Sequence, residues 1–274
     1  MVRVELLAVG RELLIGRTMN TNAHWMGRRL ALMGSMIKQM TTADDDLGEI
    51  SSALRGCLSR RPDVLVVMGG LGPTPDDMTL KGVARGLRKR MTLDKTALKM
   101  IREHYEKRGM PDVELTPARR KMAILPVGSR PLPNGVGTAP GVRIEAGRTV
   151  IFCLPGVPSE MKTIFRKSVE PELRKKLGML YRRAFRFKVE GLRESTLAPL
   201  IERELKRYPG TYIKSHPRGT KEGVSRIELD IVAVNVERRE ADRAGEAVAS
   251  EMVKAIGSAG GKIAPARAMI VGRA

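Results

Sequence analysis

The chain has 274 residues, 42% hydrophobic and 29% charged, ordinary values for a soluble globular protein that buries one large or two modest cores. Its 50 Lys and Arg against 30 Asp and Glu give a net charge of +20, split as 28 against 17 over residues 1–170 and 22 against 13 over 171–274; a dispersed excess attracts polyanions in general, phosphorylated metabolites included, without selecting nucleic acid. No run reaches the roughly 18 apolar residues of a membrane span, "MVRVELLAVG" lacks a signal-peptide pattern, and Cys57 and Cys153 show neither disulfide nor zinc spacing, so a cytoplasmic chain with two buried thiols and no membrane partner is expected.

In chain order, "VELLAVG" (4–10) predicts a buried strand, "NTNAHWMGRRLALMG" (20–34) a capped helix, "SMIKQMTTA" (35–43) a strand and "LGEISSALRGCLSR" (47–60) a helix. The β-branched run "DVLVVMGG" (63–70) predicts a parallel strand covered on both faces. Residues 75–108 read as mostly helical, and 116–126 as a helix capped by Thr116 with Pro117 in its first turn. A Gly-rich loop (133–141) then leads into a hairpin, "GVRIE" and "RTVIFCL" about the turn Ala146-Gly147, followed by a helix over 157–177. The pattern resets near 175–180 into strand 182–191, helix 194–209, strands 211–217 and 225–234, and helix 237–257, a βαββα unit. Strands alternating with helices predict a three-layer α/β fold with a mostly parallel sheet over residues 1–176, and a smaller α+β domain over 177–274.

Candidate site residues gather where the parallel strands end. Gly69, Gly70, Gly72 and Thr74 form a turn whose backbone N–H groups can converge on an anion ahead of a helix. Asp76 and Asp77 follow directly, placed by the pattern in the first helical turn, where capping alone explains one carboxylate. Two carboxylates beside an anion site repel the anion unless a divalent cation, Mg²⁺ or similar, bridges them. The cluster Asp44-Asp45-Asp46 follows the second strand; it reads either as a helix N-terminus or as a wall facing the glycine turn across a crevice. Gly10, Glu12, Asn20 and Asn22 follow the first strand at the same edge, suited to a ribose, a pterin or a base edge, or else to turn chemistry and helix capping. Gly137 and Thr138, and then Pro155, Gly156 and Ser159, belong to two further Gly/Pro turns with ligand-binding potential.

Taken together, "GRELLIGRTMNTN", "TTADDD", "VVMGGLGPTPDDMT", "PNGVGTAPG" and "LPGVPSEMK" resemble the CinA family (competence/damage-inducible protein), whose N-terminal half is similar to the molybdopterin-binding domain of MoaB, MogA and MoeA. "VEGLRESTLAPLIE" and "TYIKSHPRGTKEGVSRIEL" resemble the KH-like domain that follows in CinA; the nicotinamide-mononucleotide deamidase half of longer members is not expected. The resemblance maps a GGxG motif onto Gly69, Gly70 and Gly72 and functional aspartates onto Asp45 and Asp77. Arg11 stands where CinA proteins usually carry Asp or Asn, and Asp44 where Gly is usual.

What the resemblance implies first is a divalent-metal-dependent pyrophosphatase acting on ADP-ribose or a related nucleotide, with Asp45 and Asp77 as metal ligands and Asp76 assisting. The alternative is a molybdopterin-binding or adenylyl-transferring protein. A further alternative is RNA binding through the KH-like domain, but "RGTKEGV" places three residues between Gly219 and Gly223 and so lacks the GXXG clamp; nucleic acid is not the expected partner. A homo-oligomer is the default assembly.

Overall fold

The computed structural model describes residues 2–110, 112, 114–177 and 181–266. Contacts divide the chain into two units, residues 1–177 and 178–274.

The first unit runs β1 (Arg3–Val9), α1 (Arg11–Leu14), α2 (Thr21–Leu32), β2 (Met36–Ala43), α3 (Leu47–Ser59), β3 (Val64–Met68), α4 (Thr79–Gly86), β4 (Met91–Leu93), α5 (Lys95–Glu106), α6 (Pro117–Lys121), β5 (Ile124–Pro126), β6 (Arg130–Leu132), β7 (Gly141–Ala146), β8 (Thr149–Leu154), α7 (Pro158–Ile164) and α8 (Glu170–Leu177). Between α7 and α8 the helix continues through a π-type turn, Phe165–Val169. The main sheet has strand order β2-β1-β3-β8-β7-β6, with β2, β1, β3 and β8 parallel and β7 and β6 antiparallel.

Side-chain burial on both faces explains why β3 reads as an unbroken apolar run and β1 as one broken by Glu5. Leu7, Val9, Leu65 and Val67 pack against α3, α4 and α5 through Ile50, Leu54, Val83 and Ile101. Val4, Leu6, Val64 and Val66 point the other way, onto Met26 and Leu30 of α2 and onto Met161, Ile164 and Phe165. Both faces are covered, the arrangement a parallel sheet requires. One charge enters this packing: Glu5 of β1, 1% exposed, receives a two-pronged ion pair from Arg60 at 2.8 and 2.6 Å.

The helices begin where short polar side chains can accept backbone N–H groups. Asn20, Asp46, Asp94 and Thr116 cap α2, α3, α5 and α6 in this way. Residues 75–108 are mostly helical, as expected, but in two pieces: α4 stops at Gly86, Arg88 turns through a left-handed φ of 55°, and β4, ahead of α5, pairs antiparallel with β5. Two expectations need correction. The helix expected over 116–126 ends at Lys121, because residues 124–126 are that partner strand. In the β7–β8 hairpin Ala146 pairs with Thr149, so Gly147-Arg148 form the turn, one residue later than expected.

The second unit comprises β9 (Tyr181–Glu190), α9 (Glu194–Arg207), β10 (Thr211–Lys221), β11 (Val224–Asn235), α10 (Arg238–Ser258) and β12 (Lys262–Ala266). Its antiparallel sheet, ordered β10-β11-β9-β12, buries Val189, Ile213, Leu229 and Ile231 against Leu197 of α9 and Val248 and Met252 of α10. The edge strand β12 was not expected. Nor was the length of the β10–β11 hairpin, which closes on Glu222-Gly223 with φ of 53° and 80°, the paired positive values of a tight two-residue turn. No helix among the described residues is long and apolar enough to cross a membrane.

Candidate active site

The parallel strands β2, β1, β3 and β8 end on one edge of the sheet, and the loop after each contributes to a single cleft. Its volume is about 280 Å³, close to the lower end of the roughly 300–1,000 Å³ of small-molecule sites. Gly10, Glu12, Asn20, Asn22, Asp45, Gly69, Gly70, Asp76, Asp77 and Gly156 line it, ten of the residues singled out from the sequence. A second lobe, about 430 Å³, shares Gly70, Asp77 and Gly156 and adds Gly72, Thr138 and Pro155.

The glycine turn is shaped by backbone crowding. Gly69 has φ 108° and lies so near the Val9 carbonyl that a Cβ would collide with it; its N–H donates to the Leu154 carbonyl at 3.0 Å, pinning the turn to β8. Gly70, at φ 62°, packs against the hydroxyl of fully buried Thr79. After this reversal the backbone N–H groups of Gly70, Leu71 and Gly72 donate to no protein acceptor among the described residues. Successive unpaired amides in such a turn form an anion-binding concavity.

The acidic wall is built from separate loops. Asp45 receives the Arg11 backbone N–H at 2.9 Å, which draws the loop after β2 against the loop after β1. Burial raises the Asp45 pKa above its ordinary 3.8, and the nearby charges of Glu12, Asp44 and Asp76 push it the same way, against the Arg11 hydrogen bond. Asp77 accepts from the Thr74 N–H at 2.9 Å and from the Thr74 hydroxyl at 2.5 Å, folding residues 74–77 into a closed turn. Asp76 and Asp77 therefore lie in the loop ahead of α4, which begins at Thr79, and not in its first turn as expected. Across the cleft, Asn22 ties α2 to the loop after β8 by donating to the Gly156 carbonyl at 2.6 Å.

Three anticipated residues are used otherwise. Both donors of Thr74 are spent on Asp77, so its N–H is not available to an anion. Gly137 donates its N–H to Asn134 at 2.9 Å and packs against Glu160, outside both lobes. Ser159 is exposed on the first turn of α7 and also lies outside both lobes. Sequence reasoning missed Thr18 and Met19, which line the cleft, and Lys121, whose Nζ donates to the Thr74 carbonyl. Lys121 lies 47 residues from Thr74, and nothing in the sequence joins them.

The two residues atypical of the resembled family answer one another. The Arg11 guanidinium, 74% exposed, lies 3.6 Å from Asp44, so this cation turns to its neighbour and away from the cleft. The carboxylates do not form a protein-only metal cage, since no three His, Cys, Asp or Glu side chains among the described residues are grouped to hold an ion. Asp45 and Asp77 each keep one carboxylate oxygen without a hydrogen-bond partner among those residues. That donor set suits an ion of the Mg²⁺ type, which binds through one or two carboxylates and the phosphates of its ligand.

Relatives are found in Metallosphaera sedula and Aeropyrum pernix. A protein of Metallosphaera sedula is 41% identical over 254 residues, 92% of this chain and 93% of its own. One from Aeropyrum pernix is 42% identical over 231 residues, 84% and 85% of the respective chains. Among solved structures, CinA of Thermoplasma acidophilum, described as of unknown function, matches with a TM-score of 0.57 at 39% identity, covering 64% of this chain and 98% of that one. The family model described as "probable molybdopterin binding domain" matches residues 5–175, the span that holds the whole cleft, and the chain belongs to that family.

Proposed function

We propose that the cleft binds a phosphorylated pterin or nucleotide, with a phosphate on the N–H groups of Gly70, Leu71 and Gly72. Those three amides, unpaired at the carboxyl edge of a parallel sheet, are the observation that carries the reading. Glu12 would receive the donors of the ring or sugar, Asn20, whose Oδ1 takes the Ala23 N–H, would offer its side-chain NH2, and membership of a molybdopterin-binding family supports the pterin. The test is thermal shift with molybdopterin, AMP and ADP-ribose, with and without Mg²⁺. A ligand at a hundredfold excess over its Kd stabilises by about 2.7 kcal/mol, and Asp77→Asn and Gly70→Ala proteins should lose that shift. An unchanged melting temperature with all three ligands would refute the proposal.

A second reading, pyrophosphate cleavage in ADP-ribose or a related nucleotide, is favoured by the four carboxylates that share the cleft and by the raised pKa of Asp45. Asp45 and Asp77 would hold a divalent ion, which would supply charge neutralisation at the phosphoryl oxygens. Asp76, the carboxylate beside them in the cleft, would orient the attacking water. AMP release from ADP-ribose with added Mg²⁺ or Mn²⁺, abolished in Asp45→Asn, supports this reading; ligand binding without turnover leaves the first reading alone.

A further inference from the structure

A different cavity, about 380 Å³, is lined by His24, Trp25, Arg28, Arg29 and Leu32 of α2 and by Arg166 of the π-type turn. None of these residues lines the cleft described above. Its charges are unevenly satisfied. Arg29 pairs with Glu170, which also takes Arg174. Arg28, exposed, has no carboxylate partner among the described residues. Arg166 and Lys162 rest on the same indole, 5.6 and 5.7 Å from the Trp25 ring centroid, and neither has a carboxylate partner among those residues.

The indole is held in place, edge-on to buried Phe165 with centroids 5.5 Å apart. A ring face attracts a guanidinium or ammonium group by about 0.5–1 kcal/mol at an exposed site, so Trp25 acts as a shelf that holds Arg166 in the same cavity as Arg28. Arg166 lies in the π-type turn, and such turns recur at functional sites. Two arginines without carboxylate partners on one cavity wall, Arg28 and Arg166, call for an anionic partner, and the planar fork of arginine matches phosphate oxygens.

We infer that this cavity is a binding site for a compact condensed phosphate, either free pyrophosphate or the phosphate tail of a nucleotide, with Arg28 and Arg166 as its ligands. A single-stranded nucleic acid fits less well, because the cations occupy the ring on which a base would stack.

Trp25 is the only tryptophan in the chain, so its fluorescence reports this cavity directly. The full chain is titrated at low salt with inorganic pyrophosphate, with orthophosphate and ATP in parallel and sodium chloride at matched ionic strength as the control. A saturable emission change with pyrophosphate or ATP is expected, weakening as salt is added, and calorimetry on the Asp77→Asn protein, in which the glycine cleft is disabled, should return the same Kd. ATP binding at least tenfold tighter than pyrophosphate assigns the nucleotide tail; equal or weaker binding assigns free pyrophosphate. Arg28→Ala and Arg166→Ala should each weaken binding about tenfold or more, and Asp77→Asn should leave it unchanged, which separates this site from the glycine cleft. A response equal to the chloride control, one that survives in both arginine variants, or one lost in Asp77→Asn overturns the inference.

Discussion

Gly69→Ala tests whether the glycine turn is as tightly fixed as its geometry implies. At φ 108° an L side chain is strained, a penalty of about 1–2 kcal/mol if scaled as a left-handed residue. The new methyl would also lie closer than 3.0 Å to the Val9 carbonyl, a backbone atom that cannot swing aside, so overpacking adds roughly 1–3 kcal/mol. The sum is about 3 kcal/mol, and at ~2–4 °C per kcal/mol for a domain of this size the melting temperature should fall by roughly 6–12 °C. Gly147→Ala is the control: its φ is 61°, but nothing lies within 4 Å of the added methyl, so only the conformational penalty of about 1–2 kcal/mol remains. Differential scanning calorimetry of the three proteins measures both falls. If Gly69→Ala melts no lower than Gly147→Ala, the Val9 carbonyl yields and the turn is not the rigid cradle described above.

Other perturbations give distinct signatures. Arg60→Ala leaves Glu5 buried without its partner and should cost about 3 kcal/mol in urea unfolding; a loss under 1 kcal/mol would show that water reaches Glu5. Asp45, whose folded pKa lies above 3.8, contributes stability that is present below that value and lost as the pH rises through the folded pKa. Asp45→Asn should therefore be more stable than the wild type at pH 7, with the difference closing below about pH 3.8; a less stable Asp45→Asn protein at pH 7 would contradict the assigned shift. Burial pushes the thiols of Cys57 and Cys153 up to about 11 and about 12, so labelling by a thiol reagent at pH 8 should occur only as fast as the chain unfolds. Rapid labelling of the native protein would refute their burial.

Much of the sheet and its glycine edge was legible because the signals are local. Val64–Met68 is an apolar run ending in glycines, and Asn20, Asp46 and Thr116 are capping residues directly ahead of helical patterns. That the loops holding Gly10, Asp45 and Gly69 share a cleft follows from one rule, that neighbouring parallel strands end on the same edge. What could not be read depends on contacts remote in sequence. β4 is three residues long, and the turn before it uses Arg88 in a conformation that sequence patterns assign to glycine. β12 is an edge strand recognisable only by its pairing with β9. Thr74 looked like an anion donor because nothing local shows that Asp77 has taken both its hydrogens. Arg11 stands where the resembled family usually carries Asp or Asn, and only the fold shows that Asp44 lies beside it.

The strand order β2-β1-β3-β8 has a kinetic consequence. The walls of the cleft are drawn from positions as far apart as Gly10 and Gly156, so no partial assembly lacking β8 presents a complete receptor. If β8 joins the sheet only after the folding barrier, a bound ligand stabilises the native chain and not the transition state. Bound ligand should therefore lengthen the lifetime of the native chain by slowing its opening while leaving the speed of refolding untouched.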